Sequence, residues 1–362
     1  MKRTEVTKGT LGPVGHFRYA FPVSVLLAFP LVAFFATVVL HVAALKVFPR
    51  IGLVDFPKRY GLTRAPIPYP TGILCVVVFL AFTYLTLPVL TFRMAGVFLA
   101  IGLLAAVCFV DDRTPLSPLL RIAAQLAVAA ILIFSSVRID AVTNPLPGGV
   151  FGVGTSIVLS GGWPYALSIV FTVLWILFTV NALNWFDGIP GQVSTLSTIA
   201  FLTIGFLALS DRVQQPWIAY LAFLLAATSG AALLFDFPPS RVLMGDTGSM
   251  FFGLMIGVLT IYAGGKVATA FLVLGVPLID SLFVVIRRLR RGHAPWKGDV
   301  TDQHLHHRLL KKGWSPRQVI ALTASIGALF GITALFLDTW EKVAAGVVLF
   351  LVMLGLSWYS GK

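Results

Sequence analysis

Four short stretches of this chain hold most of the side chains with which chemistry could be done. They are Asp111 and Asp112 in "FVDDRTPLSP", the run Asn181, Asn184 and Asp187 in "NALNWFDGIPG", Asp246 in "LMGDTGSMFFG", and His304, His306, His307 and Arg308 in "TDQHLHHRLLKKGW". Carboxylate oxygens suit a hard cation such as Mg²⁺, which binds through one or two carboxylates and completes its shell with water and substrate phosphates. Asp246 lies between Gly245 and Gly248 where an apolar run begins, and the free N–H groups of a helix start favour an anion such as phosphate. Asn181, Asn184 and Asp187 follow at i, i+3 steps, which stack on one helical face. Amides there can read a base or a sugar, and Asp187 can ligate or orient a metal. Histidine and Arg308 can donate hydrogen bonds to diphosphate oxygens. Zinc is the weaker reading of the histidines, which lack a matching cysteine, a distant histidine pair and the i, i+4 spacing of a helical zinc motif.

Each motif alone has a plainer reading. The aspartate pair can be a solvated helix end, Asp246 or Thr247 a helix cap, the asparagines an interhelical hydrogen bond, and the histidines a basic surface loop. The elements that must position these residues decide between the readings. With 362 residues, 58% hydrophobic, 11% charged and a mean hydropathy of +0.92, the chain is expected to be an all-α polytopic membrane protein. Its net charge of +13 comes from cations clustered between apolar runs. That pattern points to an anionic leaflet and an anionic substrate rather than to nucleic acid. Cys75 and Cys108 both fall inside apolar runs, so no disulfide framework is expected. The first apolar run is too long for a signal-peptide core and is read as a mature span.

At about 20 apolar residues per span, eleven transmembrane helices are expected, with cores near 21–48, 72–90, 94–110, 116–136, 165–183, 193–209, 216–235, 250–263, 267–286, 318–337 and 342–359. Between the fourth and fifth, alternating Val and Ile with Gly, Pro and Asn punctuation predicts a small extracytoplasmic β-hairpin. No internal repeat and no second soluble domain is visible, so residues 1–362 are read as one domain. Every second loop shares a side of the membrane. One set of loops carries sixteen Lys and Arg, the other eight with Lys342 at the border, which puts the first set in the cytoplasm. That set contains the aspartate pair, Asp187, Asp246 and the histidines. A structural loop has no reason to share its side with three other polar clusters, whereas an active site must. An anionic lipid or solute transporter would also place polar groups in a membrane, but near its midplane and often within repeats.

In this order, the motifs resemble those of the polyprenyl-phosphate N-acetylhexosamine-1-phosphate transferase family, over roughly residues 50 to 320. The resemblance rests on "VDFPKR", Asp111-Asp112, the Asn-x-x-Asn-x-x-Asp-Gly run from Asn181, Gly-Asp-x-Gly-Ser from Gly245, and Asp-x-x-His-Leu-His-His-Arg from Asp302. It implies a helical membrane fold with a cytoplasmic-face cleft in the cell inner (plasma) membrane. It also implies Mg²⁺, with Mn²⁺ as the alternative ion, and transfer of a sugar 1-phosphate from a UDP-N-acetylhexosamine to polyprenyl phosphate with release of UMP. "HLHHRLL" followed by "GWSPRQ" is similar to the N-acetylglucosamine-1-phosphate branch, which starts cell-wall polymers and lipid-linked glycans. The alternative is the muramoyl-pentapeptide branch of peptidoglycan synthesis, which tends to carry three consecutive histidines. By the resemblance, Asp111, Asp112, Asp187 and Asp246 are catalytic, with Asp246, Asp112 and Asp187 as the metal ligands. Asn181, Asn184, Arg241, His304, His306, His307 and Arg308 bind substrate. No nucleic-acid partner is implied, and a homodimer is compatible. The chain departs from the family pattern at Pro190, where a second acidic residue is usual, at Asp236, where Asn is common, and at Leu243, where an aromatic is common.

This topology is testable with single cysteines at Thr114 and Ser315 in a variant lacking Cys75 and Cys108. An impermeant thiol reagent applied to intact cells should leave both unlabelled and should label both once the membrane is opened.

Overall fold

The computed structural model describes residues 23–60, 63–87, 89–143, 156–159, 162–264, 267–294 and 304–361. The N-terminal cations Lys2, Arg3, Lys8 and Arg18, the segment 144–155 of the expected hairpin, Lys266, Lys297 and Asp302 lie outside the described residues. The chain is an all-α polytopic membrane protein. Its helices are α1 (Val23–Arg50), α2 (Gly72–Thr86), α3 (Phe92–Arg113), α4 (Pro118–Phe134), α5 (Gly162–Phe186), α6 (Gln192–Leu209), α7 (Pro216–Asp236), α8 (Gly245–Tyr262), α9 (Val267–Val273), α10 (Gly275–Arg290), α11 (Leu305–Lys311), α12 (Pro316–Phe336) and α13 (Thr339–Gly361). Two three-residue strands, β1 (Ala141–Thr143) and β2 (Ser156–Val158), pair antiparallel with Ala141 opposite Val158.

Among the described residues, eight helices are long and apolar enough to cross a bilayer, or nine if α9 and α10 form one span. Helices α2 and α4, of 15 and 17 residues, are shorter. Helix α8 is the centre of the bundle, with 89% of its apolar stretch buried against 17% for α13. It packs on α5, α3 and α2, while α7 packs on α6 and α1. Small residues let the helices approach. A side chain at Gly253 of α8 would stand 2.6 Å from the Thr179 carbonyl of α5, and one at Gly72 would collide with the Gly248 backbone. Local signals set the helix ends. Ser117 caps α4 with Pro118 in its first turn, and Ser315 and Gln318 form a capping box on α12.

The structure differs from the periodicity reading at three places. Helix α8 begins at Gly245, ahead of the apolar core near 250 and where the motif around Asp246 puts a helix start, because an acceptor distant in sequence satisfies its first N–H groups. The ninth apolar run is broken, with α9 and α10 meeting at 86°. Pro277 lacks an N–H and its ring clashes with the carbonyl four residues back, at Val273, where α9 ends. The histidine loop contains a two-turn helix, α11, that hydrophobic periodicity does not reveal.

Close packing at Gly72 gives a direct test. Gly72→Ala should cost about 1–3 kcal/mol through overpacking, read as a lower Tm in detergent. Gly102→Ala, which meets nothing within 4 Å, should leave Tm unchanged or slightly raised.

Candidate active site

The site is assembled around the carboxylate of Asp112 at the end of α3. Its Oδ1 accepts hydrogen bonds from the Tyr69 hydroxyl at 2.6 Å and the Asp246 N–H at 2.8 Å. Its Oδ2 accepts from the Thr247 N–H at 3.0 Å and the Thr247 hydroxyl at 2.6 Å. Four donors occupy the roughly four lone-pair sites of one carboxylate, so Asp112 caps α8 from 134 residues away. The approach to α2 is zipped onto the same corner. The Leu243 N–H donates to the Pro68 carbonyl at 3.0 Å, and the Thr71 and Gly72 N–H groups donate to the Leu243 and Met244 carbonyls at 2.9 Å. Asp55 secures that loop by accepting from Arg64 and from the Ile67 N–H. Gly245 turns the chain into α8 with φ +78°, and a side chain there would meet Pro70, Tyr69 and the Asp112 carboxylate. Only glycine fits both the backbone angle and the space.

This corner holds Asp246 beside Asp111. One guanidinium nitrogen of Arg121, in the first turn of α4, lies 3.0 Å from Asp111 Oδ2 and 3.4 Å from Asp246 Oδ2. Asp111 also accepts the Leu116 N–H at 2.6 Å, which shapes the turn into α4. The Asp111 side chain is 7% exposed and that of Asp246 29%, so Asp246 is the carboxylate that faces outward. From α5, Asn184 donates to Ser249 of α8, close in sequence to Asp246, at 3.3 Å. Asn181, one turn deeper, is committed differently: it exchanges amide hydrogen bonds of 2.6 and 3.3 Å with Gln125 of α4.

Asp187 follows the end of α5. Burial, and then the like charges of Asp236, Asp246 and Asp112, push its carboxyl well above the ordinary carboxylate range. Asp236 is buried at the end of α7, where both oxygens accept from the Ser194 hydroxyl of α6, and Gly191 packs against the neighbouring Phe237 backbone. Position 190 adjoins that contact. An acid at 236 therefore stands next to Pro190.

The histidines form a second cluster against this one. His304 Nδ1 lies 2.9 Å from Asp280 Oδ2, and Asp280 Oδ1 accepts the Leu305 N–H at 3.0 Å. The His304 and His306 rings stack at 5.6 Å, and His307 lies 4.2 Å from His306. His306 is buried with neither ring nitrogen hydrogen-bonded, and its Nε2 points at the Cα of Gly188. Burial, and then His307 and His304, hold its pKa well below the ordinary histidine value, so it is neutral at pH 7. Arg288 of α10 lies over the Trp185 ring at 5.5 Å, joining α10 to the asparagine run. Two predicted residues stand apart from the carboxylates. Arg308 donates to the Ser357 carbonyl and hydroxyl of α13, and exposed Arg241 lies over Phe235 at 5.1 Å. Among the described residues neither pairs with an aspartate.

Comparison with known proteins now has a geometry to explain. The glycosyl transferase family 4 model matches residues 94–264, which run from α3 to the end of α8 and include every aspartate of the corner. A decaprenyl-phosphate N-acetylglucosaminephosphotransferase of Mycolicibacterium smegmatis is 30% identical over 81% of this chain and 76% of its own. The chain belongs to this family. Other members it resembles are a probable undecaprenyl-phosphate N-acetylglucosaminyl 1-phosphate transferase of Bacillus subtilis, 29% identical over 80% of this chain and 78% of that one. A third is the undecaprenyl-phosphate alpha-N-acetylglucosaminyl 1-phosphate transferase of Escherichia coli K12, 28% identical over 88% and 85%.

Within this family 4 chain, sequence reasoning passed over Arg121, Asp280 and Tyr69, and read Thr247 only as a helix cap. Arg121 and Asp280 carried a readable signal, since each is a charge inside an apolar run. Tyr69 carried none.

The Asp112 cap can be measured apart from catalysis. Asp112→Ala leaves the Asp246 and Thr247 N–H groups without an acceptor and should cost about 1–3 kcal/mol, lowering Tm in detergent. Tyr69→Phe, which removes one of the four bonds, should cost less, about 0.5–1.5 kcal/mol.

Proposed function

We propose that this chain transfers N-acetylglucosamine 1-phosphate from UDP-N-acetylglucosamine to a polyprenyl phosphate, giving a polyprenyl-diphosphate-linked sugar and UMP. The observation that carries the reading is the outward-facing Asp246 carboxylate at the N-terminus of a buried helix, flanked by Arg121 and Asn184. The printed activities of the relatives support the same reaction. The whole chain then works as one transferase domain of eleven spans, with the hairpin outside the cell and the aspartates at the cytoplasmic face of the inner (plasma) membrane. Span parity and the cation bias of the loops support that orientation.

In the reaction an oxygen of the lipid phosphate attacks the phosphorus bonded to the sugar. A new P–O bond forms, the P–O bond to the uridine-linked phosphate breaks, and UMP leaves with that electron pair. The acceptor phosphate is already largely ionised near neutral pH, so general-base help from Asp111 or Asp112 is a minor requirement. Asp112 spends its lone pairs on the α8 cap, which makes it the residue that aims Asp246. Arg121 and the helix N-terminus present positive charge to the diphosphate. Asn184 orients the donor beside Asp246, while Asn181 is held by Gln125 behind it.

The donor set fits Mg²⁺, with Asp246 as ligand and Asp187 completing or orienting its shell. A cationic guanidinium already stands 3.4 Å from Asp246, and the burial and like charges that raise the Asp187 carboxyl are what a divalent ion would offset. Among the described residues no three His, Cys, Asp or Glu gather into a cage, as suits an ion that takes its remaining oxygens from phosphate and water. Mn²⁺ shares this oxygen preference. Bound there, the ion neutralises charge developing on the UMP leaving group.

The test is UMP release by purified protein with UDP-N-acetylglucosamine, with and without polyprenyl phosphate, across a Mg²⁺ titration. Release should require the lipid. Asp246→Asn keeps the side chain's size but removes its charge, and should lower turnover at least roughly a hundredfold, as expected when several kcal/mol of metal stabilisation are lost. Near wild-type, Mg²⁺-dependent turnover in that variant would remove Asp246 as the ligand.

A further inference from the structure

A groove lies at the other end of the bundle from the aspartates. Helices α4 and α5 part there to leave a groove of about 390 Å³, within the usual range of ligand pockets. Leu126, Ala130 and Ile133 form one wall and Ile169 and Val173 the other. Their spacing of about four residues keeps each set on one helical face. The groove opens to the outer surface of the bundle, where Phe134 is 78% exposed, and in a bilayer that surface meets acyl chains. Helix α4, at about 1.5 Å per residue, puts this mouth roughly 25 Å from Asp111.

Polar groups occur only at the mouth, and they come as a pair. Arg138 donates through Nε to Asp140 Oδ1 at 2.6 Å and lies 4.9 Å over the Tyr165 ring. Its two terminal nitrogens and the second Asp140 oxygen make no hydrogen bond among the described residues. Asp140 is 49% exposed. Trp163 and Tyr165, exposed at the start of α5, are the residue types that settle at a membrane interface. The mouth therefore offers guanidinium donors beside a carboxylate acceptor at headgroup level, with an apolar slot running inward.

We infer that this groove binds one phospholipid with a zwitterionic, primary-ammonium head, such as phosphatidylethanolamine. The phosphate would meet Arg138, the ammonium Asp140, and one acyl chain the slot between α4 and α5. Charge complementarity selects this class. A phosphatidylglycerol head carries no cation for Asp140, and the quaternary ammonium of phosphatidylcholine has no N–H to donate.

The experiment is native mass spectrometry of the delipidated full-length protein, titrated separately with phosphatidylethanolamine, phosphatidylcholine and phosphatidylglycerol of the same acyl chains. UMP release in detergent serves as the folding control, and it should be unchanged in every variant. Wild type should retain phosphatidylethanolamine best. Arg138→Gln should weaken that binding about tenfold or more, the scale of one charge-assisted hydrogen bond. Asp140→Asn should erase the preference over phosphatidylglycerol, and Ala130→Trp, which fills the slot, should weaken all three lipids. Equal retention of phosphatidylglycerol by wild type would overturn the headgroup assignment. Undiminished phosphatidylethanolamine binding by active Arg138→Gln and Ala130→Trp would overturn the site itself.

Discussion

Everything at the catalytic corner depends on one carboxylate accepting four hydrogen bonds. Asp112 ties the Tyr69 hydroxyl, the first N–H groups of α8 and the Thr247 hydroxyl to the end of α3. Burying those N–H groups without a partner would cost far more than the net worth of the bonds. The cap therefore decides where α8 begins, and so where Asp246 stands. The close contact of Gly72 with Gly248 can form only once that end is set. An acceptor at this position thus links α2, α3 and α8 into one unit, and the position of the Asp246 carboxylate is a consequence of their packing.

The histidine cluster depends on a second buried acid used in the same way. Pro277 breaks the ninth apolar run, so α10 leaves its break at a steep angle to α9. Asp280, one turn beyond the break, takes both the His304 ring and the Leu305 N–H. A straight helix would carry Asp280 along the line of α9 instead. The bend also sets Arg288 over Trp185 at the end of α5. Both polar clusters are therefore fixed by an aspartate that accepts backbone N–H groups, two at Asp112 and one at Asp280, from another segment of the chain.

Much of this was legible in the sequence. All eleven apolar runs became helical, because about 20 apolar residues between polar breaks leave few alternatives in a membrane. Asp111, Asp112, Asn184 and Asp246 do converge. What stayed hidden was decided by contacts between distant segments. Periodicity begins α8 at its apolar residues and cannot see a cap supplied from α3. Equally, Asn181 and Asn184 are indistinguishable by spacing, yet one is bonded to Gln125 of α4 and the other to Ser249 of α8. Arg308 reads as a phosphate ligand in "HLHHR", but its guanidinium is hydrogen-bonded to Ser357 near the far end of the chain.

The balance of charge at the corner carries the last step. Asp111 and Asp246 share a single guanidinium, and Asp187 and Asp236 add two further acids close by. On the facing side His306 is neutral, since its burial and its histidine neighbours oppose a proton. Burial and its acidic neighbours hold the Asp187 carboxyl well above the ordinary carboxylate range, so its charge is disfavoured until a cation is near. In the proposed reaction, a divalent cation carried by the diphosphate would favour the ionised form of that carboxyl. Arg121 then has a different part from the cation. By holding Asp111 and Asp246 within reach of each other it keeps two like charges together before the substrate comes, so that the site is arranged in advance for a ligand that brings its own counter-charge.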